Sequence, residues 1–308
     1  MYIIEKIYKL KKRLFAWYKK YFTVEGLYTC ILPDKIYLKK LYKARTGKKL
    51  NLRNPQTFNE KINWLKLYDR RPEYTVMVDK YLAREYISER IGEEYLVPLL
   101  GVWDSPEKID FDALPNKFVL KCNHDNGVII CNDKGKLDIE KVKKELAYRL
   151  ERNYYKKLRE WPYKKVPRKI ICEKFMENAN GEKCLEYKVF CFNGVPRYIF
   201  VISNRLSAEK TTIDVYDELW NYVELRRKDS ISAGDMFEKP GCYESLIKLS
   251  KQLSNNTLYL RVDFNFWNDR LYFGELTNYD MGGFGVYQPE VWDYKLGELI
   301  DLPDKRRR

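Results

Sequence analysis

The clearest alternation of polar and apolar positions is RVDFNFWNDRLYFGEL, residues 261–276. Arg261, Asp263 and Asn265 share one parity, and Val262, Phe264 and Phe266 share the other. A period of two predicts a half-buried strand. A three-residue loop at Asn268-Asp269-Arg270 would return the chain as a second strand. Trp267 would then face Leu271, Asp263 would face Glu275, and Arg261 would face Thr277. Lys117–Cys122, Lys169–Phe175, Glu186–Phe192 and Pro196–Ile202 also read as strands, the last two around a turn at Asn193-Gly194. Pro98–Val102 reads as a short strand or turn. Helical periodicity marks residues 3–22, residues 57–70 behind a Thr57/Glu60 capping box, a segment starting near Asp79, Asp138–Tyr155 and Tyr243–Leu253. Residues 204–240 are polar and read as irregular, with turn chemistry at Ser232–Asp235 and Lys239–Gly241. No internal repeat or low-complexity linker breaks the chain. Strands separated by helices and closed by antiparallel hairpins indicate an α+β fold.

Composition adds where the charge lies. The 308 residues are 45% hydrophobic, enough for one large domain or two lobes. The net charge of +14 sits at the ends: residues 1–50 hold 14 Lys/Arg against three acids, and Lys305–Arg308 add +4. Residues 51–304 are close to neutral, which argues against a nucleic-acid binder and assigns the basicity to docking. In residues 3–22 the stripe Ile3, Ile7, Leu10, Leu14, Trp17 and Tyr21 is flanked by Lys6, Lys9, Lys12, Arg13, Lys19 and Lys20. Such a helix suits an anionic membrane interface, and it equally suits packing on the body with its cations solvated. No apolar run reaches a membrane span and no signal peptide is visible, so the expected location is cytoplasmic, peripheral on the inner face of the membrane if the helix docks there. Seven Cys without a CxxC pair and a single His, His124, argue against zinc. Cys122, Cys131, Cys172 and Cys191 read as small buried hydrophobes.

Three stretches carry candidate chemistry. Directly opposed residues on paired strands lie ~4.5–5.5 Å apart, so Asp263 and Glu275 would repel unless a cation lay between them. Mg²⁺ is usually held by one or two carboxylates and completed by phosphate oxygens, and Arg261 could clamp a phosphate or carboxylate beside it. A surface hairpin with solvated charges is the competing reading, and a two-residue loop would put the acids on opposite faces. In KFVLKCNHDNG, 117–127, a Lys closes an apolar strand before a polar loop containing Gly127, which suits phosphate. That stretch is neither a Walker A motif nor GxGxxG, and taken alone it reads as a surface turn. In KIICEKFMENANGE, 169–182, an apolar strand runs into Glu173-Lys174-Phe175-Met176, which suits either a purine-holding hinge or a plain edge-strand turn.

The order of these parts is that of the ATP-grasp superfamily. Residues 54–304 resemble its TupA-like branch, named for a teichuronopeptide biosynthesis protein. The stretches that carry the resemblance are NPQTFNEKINWLKLYDR, VDKYLAREYI, EEYLVPLLGVWDSPEKIDFDALPNKFVLKCNHDNG, LEYKVFCFNGVPRYI, RVDFNF and YFGELT. The resemblance implies two α+β lobes gripping ATP over residues 51–304, a hinge near 173–176, a basic helical region over 1–50 and a basic tail over 305–308. By the same resemblance Lys80 and Lys121 hold ATP phosphates, and Asn123, His124 and Gly127 belong to a phosphate loop. Glu173, Lys174, Phe175 and Met176 meet adenine, Glu186 meets ribose, and Lys188 meets phosphate or substrate. Asp263 and Glu275 take Mg²⁺, with Thr277 where many relatives carry Asn, and Arg261 steadies an acyl-phosphate.

The implied activity is an ATP-dependent carboxylate–amine ligase of surface-polysaccharide biosynthesis. Its partners would be a uronic-acid-containing glycan, or its lipid- or nucleotide-linked precursor, and an amino acid or small amine. A glycan kinase on the same fold, a glycosyltransferase and a catalytically silent scaffold are the rivals. Three departures from the family pattern stand out: Thr277 followed by Asn278, the acid Asp125 inside the phosphate loop, and the stretch TNYDMGGFG.

Overall fold

The structure, a computed structural model, describes residues 32–177, 184–203, 211–228, 230–234 and 236–303. The expected helix over 3–22 and the basic tail lie outside them. Helix α1, Asp34–Thr46, ends at Gly47, whose left-handed backbone (φ 74°) lets its N–H bond Lys43 O. It buries Tyr37, Leu38, Leu41 and Tyr42. Although it precedes the boundary expected at residue 50, it packs into the body. Helix α2, Phe58–Tyr68, starts as predicted: Thr57 accepts from Glu60 N while the Glu60 side chain reaches back to Thr57 N. Near Asp79 one helix was expected and two short ones occur, α3 (Glu73–Val78) and α4 (Ala83–Ile91). Asp79 makes the break, because its carboxylate accepts from Tyr81 N (2.9 Å) and Leu82 N (3.2 Å), donors that a continuous helix would turn elsewhere.

The first sheet contains β1 (Leu99–Trp103), β2 (Phe118–Cys122), β3 (Val128–Cys131) and β4 (Ile170–Lys174) in the antiparallel order β1-β4-β2-β3. Helix α5, Ile139–Glu151, is capped by Asp138, which accepts from Lys141 N. Its Val142 and Leu146 join Phe118, Leu120, Cys122, Cys131, Ile170 and Cys172 in one core. The opposite parity of this sheet presents Val119, Lys121, Val128, Ile130, Ile171 and Glu173. A short helix α6, Tyr155–Leu158, precedes β4.

The second sheet is built from β5 (Leu185–Phe192), β6 (Val195–Ser203), β7 (Thr212–Asp217), β8 (Tyr222–Val223), β10 (Tyr259–Trp267) and β11 (Arg270–Thr277), in the order β11-β10-β5-β6-β7-β8. Helix α7, Tyr243–Ser254, covers one face with Leu246, Leu249 and Leu253 against Val189, Ile199, Leu260 and Val262. The other face packs Phe190, Phe192, Phe200 and Tyr259 against Phe58 and Ile62 of α2 and the apolar side of α1. Each fully buried side chain of this size contributes roughly 1.5–3 kcal/mol. Segment 204–240, read as irregular, contains β7, β8 and the two-residue β9 (Arg226–Arg227), which pairs with β12 (Tyr287–Gln288). Helix α8, Val291–Glu298, closes against α2.

The β10/β11 hairpin departs from its expected turn. Asn268 and Asp269, at φ 46° and 58°, form a two-residue connection, and Trp267 pairs with Arg270. Positive φ at both positions matches a turn of the hairpin type. The register then shifts between Asp263 and Phe264, where Gly274 is the extra residue on β11. Beyond that bulge Asp263 pairs with Glu275 and Arg261 with Thr277, as predicted.

Candidate active site

Arg261, Asp263 and Lys188 stand on the face that packs toward α2, at the end of its apolar cluster. β10 places Asp263 directly beside Lys188 of β5, and Lys188 donates to the Asp263 carboxylate. Arg261 grips the same carboxylate with two bonds, Nε to Oδ1 (2.7 Å) and Nη2 to Oδ2 (2.7 Å). Its Nη2 also lies 2.7 Å from Glu275 Oε1, so one guanidinium nitrogen bridges the two facing acids. This supplies the cation that their pairing demands. Burial pushes the Asp263 carboxyl up, but Arg261 and Lys188 outweigh it and hold it well below the usual carboxylate range. Burial likewise disfavours the Arg261 charge, and the carboxylates of Asp263 and Asp280 more than offset it.

Asp280, fully buried, completes the cluster from beneath. It accepts from Arg261 Nη1 (2.5 Å), from Arg227 Nη2 (3.1 Å to each oxygen) and from Tyr287 Oη (3.2 Å). The loop carrying Asp280 is clasped to α2. Asn59 exchanges two bonds with Gly285, Asn63 Nδ2 donates to Gly283 O (2.8 Å), and Lys66 Nζ donates to Gly282 O (2.7 Å). Gly283, at φ 72°, has no room for a side chain: a Cβ would lie 2.6 Å from Asn63 Nδ2. Asp280, Arg227 and the α2 clasp were not identified from sequence. NxxxNxxK at 59, 63 and 66, polar residues on the inner side of an amphipathic helix, is the signal that could have drawn attention to them.

Of the other predicted residues, the first sheet brings Lys121 and Glu173 together. Lys121 Nζ bonds Glu173 Oε2 (2.6 Å), and Arg84 Nη1 approaches Glu173 Oε1 (3.3 Å). Val128 (47% exposed) and Ile130 (37% exposed) leave apolar surface on this same face, beside a lysine. Such a surface suits a flat apolar ring carrying a phosphate chain. Lys174 donates its backbone N–H to Pro98 O (2.9 Å), and Phe175 lies 5.9 Å from Lys117 Nζ across its ring. Met176 follows, half-buried, beyond the end of β4. Glu186 Oε2 is 3.8 Å from Lys188 Nζ.

Lys80 lies within the fields of carboxylates from both sheets. Its Nζ bonds Asp125 O, and burial pushes its ammonium down against the fields of Glu275 from one sheet and Asp125 and Glu173 from the other, with Lys121 adding to the downward push. Asn123 is fully buried, and its amide is taken up by Asp79 Oδ1 (2.9 Å), Pro167 O (2.7 Å) and Lys169 N (2.8 Å), so its side chain shapes the loop from within. His124 is buried with neither ring nitrogen bonded, and burial pushes its pKa down. The anomalous Asp125 is neutralised internally by Gly127 N (2.9 Å) and Arg149 Nη1 (3.1 Å). Arg149 lies over Gly127 so closely that a Cβ there would fall 1.3 Å from Nη1.

Mg²⁺ is the metal that the resemblance implies. Among the described residues no group of three or more His, Cys, Asp or Glu could hold a metal. Two carboxylates with substrate phosphates suffice for Mg²⁺, however, and Asp263 and Glu275 are hard oxygen donors already facing across one cationic nitrogen. Thr277 Oγ1 lies 3.4 Å from Glu275 Oε1, on the site's side of the strand. Asn278 turns inward, its Nδ2 3.8 Å from Met77 Sδ. The donor set therefore fits, with Asp263 and Glu275 as the residues that would hold the ion.

The profile of the TupA-like ATPgrasp family matches residues 60–301. No curated protein matches the chain. Among solved structures, a D-alanine–D-alanine ligase from Bacillus anthracis complexed with ATP is 16% identical, with a TM-score of 0.41, over 73% of this chain and 63% of that one. An L-amino acid ligase from Bacillus licheniformis is 11% identical, with a TM-score of 0.46, over 73% of this chain and 49% of that one. The chain thus spans less than two thirds of the length of these two enzymes. The match over most of the sequence places the chain in the TupA-like ATP-grasp family, with that family's α+β fold.

Proposed function

We propose that the chain is an ATP-dependent carboxylate–amine ligase. The observation that carries this reading is the pairing of Arg261 and Lys188 with Asp263 and Glu275, in a chain that also presents an apolar sheet face around Lys121. The face around Lys121 would take the nucleotide, with Lys80 and Lys121 toward its phosphates. A carboxylate oxygen would attack the γ-phosphorus, ADP would leave, and the acyl-phosphate would be opened by an amine to give an amide and phosphate. Negative charge grows on the transferring phosphoryl oxygens, so Arg261, Lys188 and Lys121 act chiefly by electrostatic stabilisation and positioning. Mg²⁺, when bound at Asp263 and Glu275, supplies neutralisation of the phosphates. As acceptor we propose a uronic acid of a surface polysaccharide or its precursor, and as nucleophile an amino acid or small amine.

The sequence of residues 1–22, seven Lys/Arg and one acid beside an aromatic stripe, supports peripheral docking on an anionic membrane. About half of those cations at ~1 kcal/mol each give roughly 3 kcal/mol, enough for reversible, salt-sensitive binding. Removing residues 1–22 should then release the protein from anionic liposomes; liposome binding that survives the truncation refutes the docking role. No described helix is long and apolar enough to cross a membrane.

The deciding experiment measures ADP release with uronic-acid glycans crossed with amines, followed by product mass. An amide formed only when both are present supports the ligase. A phosphorylated sugar formed without amine indicates a kinase, and consumption of a nucleotide sugar without ATP indicates a glycosyltransferase. Asp263→Asn and Glu275→Gln should each abolish turnover in folded protein; normal turnover of either variant removes the metal assignment.

A further inference from the structure

Glu160 has no role in the scheme above, yet it is set beside it. The residue is 6% exposed. Among the described residues none donates a hydrogen bond to its carboxylate or pairs with it as an ion. A buried acid without direct partners, balanced by Lys66 and Arg261 only at a distance, is costly to keep ionised.

The backbone is arranged to put it there. Arg159, immediately before it, sits at φ 56°, a left-handed conformation that a residue with a long side chain adopts only under constraint. That constraint is visible: Arg159 Nε is 3.3 Å from Asp34 Oδ1, its guanidinium lies 4.3 Å over the Tyr37 ring, and its N–H bonds Tyr155 O (2.8 Å). Glu160 then lies against Gly282, where a Cβ would come within 3.2 Å of Oε1. Gly282 is two residues from Asp280, the support of Arg261. The rings of Tyr154 and Tyr163 meet 4.8 Å apart on the same segment, and Glu160 O accepts from Tyr163 N (3.2 Å).

We infer that Glu160 is the seat of the amine: its carboxylate receives the substrate as a primary ammonium ion and takes one of its protons. The inference rests on the ligase reading for the chemistry that follows. R–NH₃⁺ gives one proton to Glu160. The freed nitrogen lone pair attacks the acyl carbon, and the carbon–oxygen bond to phosphate breaks with its electrons on phosphate oxygen. The nitrogen's second proton leaves with phosphate as HPO₄²⁻, and protonated Glu160 later returns its proton to solvent. The groups whose fields reach Glu160 are Lys66 of α2, Glu275 of β11, Asp280 of the following loop and Arg261 of β10, with the phenols of Tyr154, Tyr163 and Tyr279. Burial pushes the Glu160 carboxyl up, the direction that suits a proton acceptor near neutral pH. Lys66, held by Leu158 O (2.9 Å) and Gly282 O (2.7 Å), balances its charge without contacting it.

The test compares wild type, Glu160→Gln, Glu160→Asp and the exposed control Glu151→Gln in two arms. In the first, thermal unfolding is followed in ethylammonium chloride against sodium chloride of equal ionic strength. Ethylammonium should stabilise wild type and Glu151→Gln and leave Glu160→Gln at its salt control. Equal responses in wild type and Glu160→Gln, including no response in either, overturn the site. In the second, ADP release is measured with glucuronate plus ethylamine or hydroxylamine. Hydroxylamine is uncharged at neutral pH and traps acyl-phosphates without first losing a proton. Glu160→Gln should lose about a hundredfold or more with ethylamine and little with hydroxylamine, with Glu160→Asp between. Equal losses with both nucleophiles overturn the proton-accepting role. Absence of ADP release from wild type with every uronate counts against the ligase reading, and the first arm still decides whether Glu160 holds an ammonium ion.

Discussion

Asp280→Asn tests the charge balance of the site without reference to any substrate. Asp280 is fully buried and serves Arg261 at 2.5 Å and Arg227 at 3.1 Å. Asparagine keeps the shape and one acceptor oxygen but removes the negative charge between two guanidinium groups. Breaking a buried pair from one side costs about 3–5 kcal/mol, and the retained acceptor argues for the lower end. For a chain of this size that lowers the melting temperature by roughly 5–8 °C. Asp112→Asn, on an exposed loop, should stay within about 0.5 kcal/mol of wild type. Adding Arg227→Met to Asp280→Asn should recover part of the loss, because one cation then leaves with the anion it faced. Differential scanning fluorimetry and chemical denaturation read all three. A melting temperature for Asp280→Asn within about 2 °C of wild type refutes the reasoning: the guanidinium groups would then be compensated by solvent rather than by Asp280.

Lys121→Ala should weaken nucleotide binding about ten- to a hundredfold, the loss of one charge-assisted contact, read by calorimetry; an unchanged affinity removes the phosphate role. Lys80→Ala should cost less, since its Nζ also secures Asp125 O, and a larger loss than Lys121→Ala reverses their order of importance. Deleting Gly274 removes the bulged residue, so Glu275 follows Phe273 directly and still pairs with Asp263; turnover should persist in folded protein, and its loss with the far-ultraviolet circular dichroism unchanged refutes the register argument. Asp263 and Asp280 have carboxyl pKa values held below the unfolded value of about 3.9, so the unfolded chain binds more protons as the pH falls. Their stabilisation is complete above about pH 5 and is lost progressively below pH ~4, and melting curves should show a shallower acid loss in Asp280→Asn than in wild type.

What the sequence made legible was local. Thr57 and Glu60 lie within one turn of each other, so the cap of α2 could be read directly. Asp280, Arg227 and Arg261 are separated by tens of residues, and only the pairing of β9 with β12 and the loop clasp on α2 unite them. Strand β7 carries no clean alternation of polar and apolar positions; its order comes from the register with β6, where Thr212 faces Ser203 and Asp217 faces Tyr198. The loop 123–127 follows β2 as the sequence suggests, but the inward turn of Asn123 depends on Asp79 and Pro167, which no spacing rule reveals. The hairpin is the sharpest instance. The expected three-residue turn is a two-residue one, which by itself would have sent Glu275 to the opposite face. The bulge at Gly274 adds back the missing residue, so the pairing of Asp263 with Glu275 holds for a different reason. A turn fixes strand register only as far as the first bulge; beyond it, side-chain parity follows the total number of residues on each arm. The signal for that correction was present, since a lone glycine inside an alternating strand marks a bulge or a close backbone approach. Here it marks both: a Cβ on Gly274 would lie 3.1 Å from Asp263 O, so the residue that restores the register also lets the two acid-bearing strands approach.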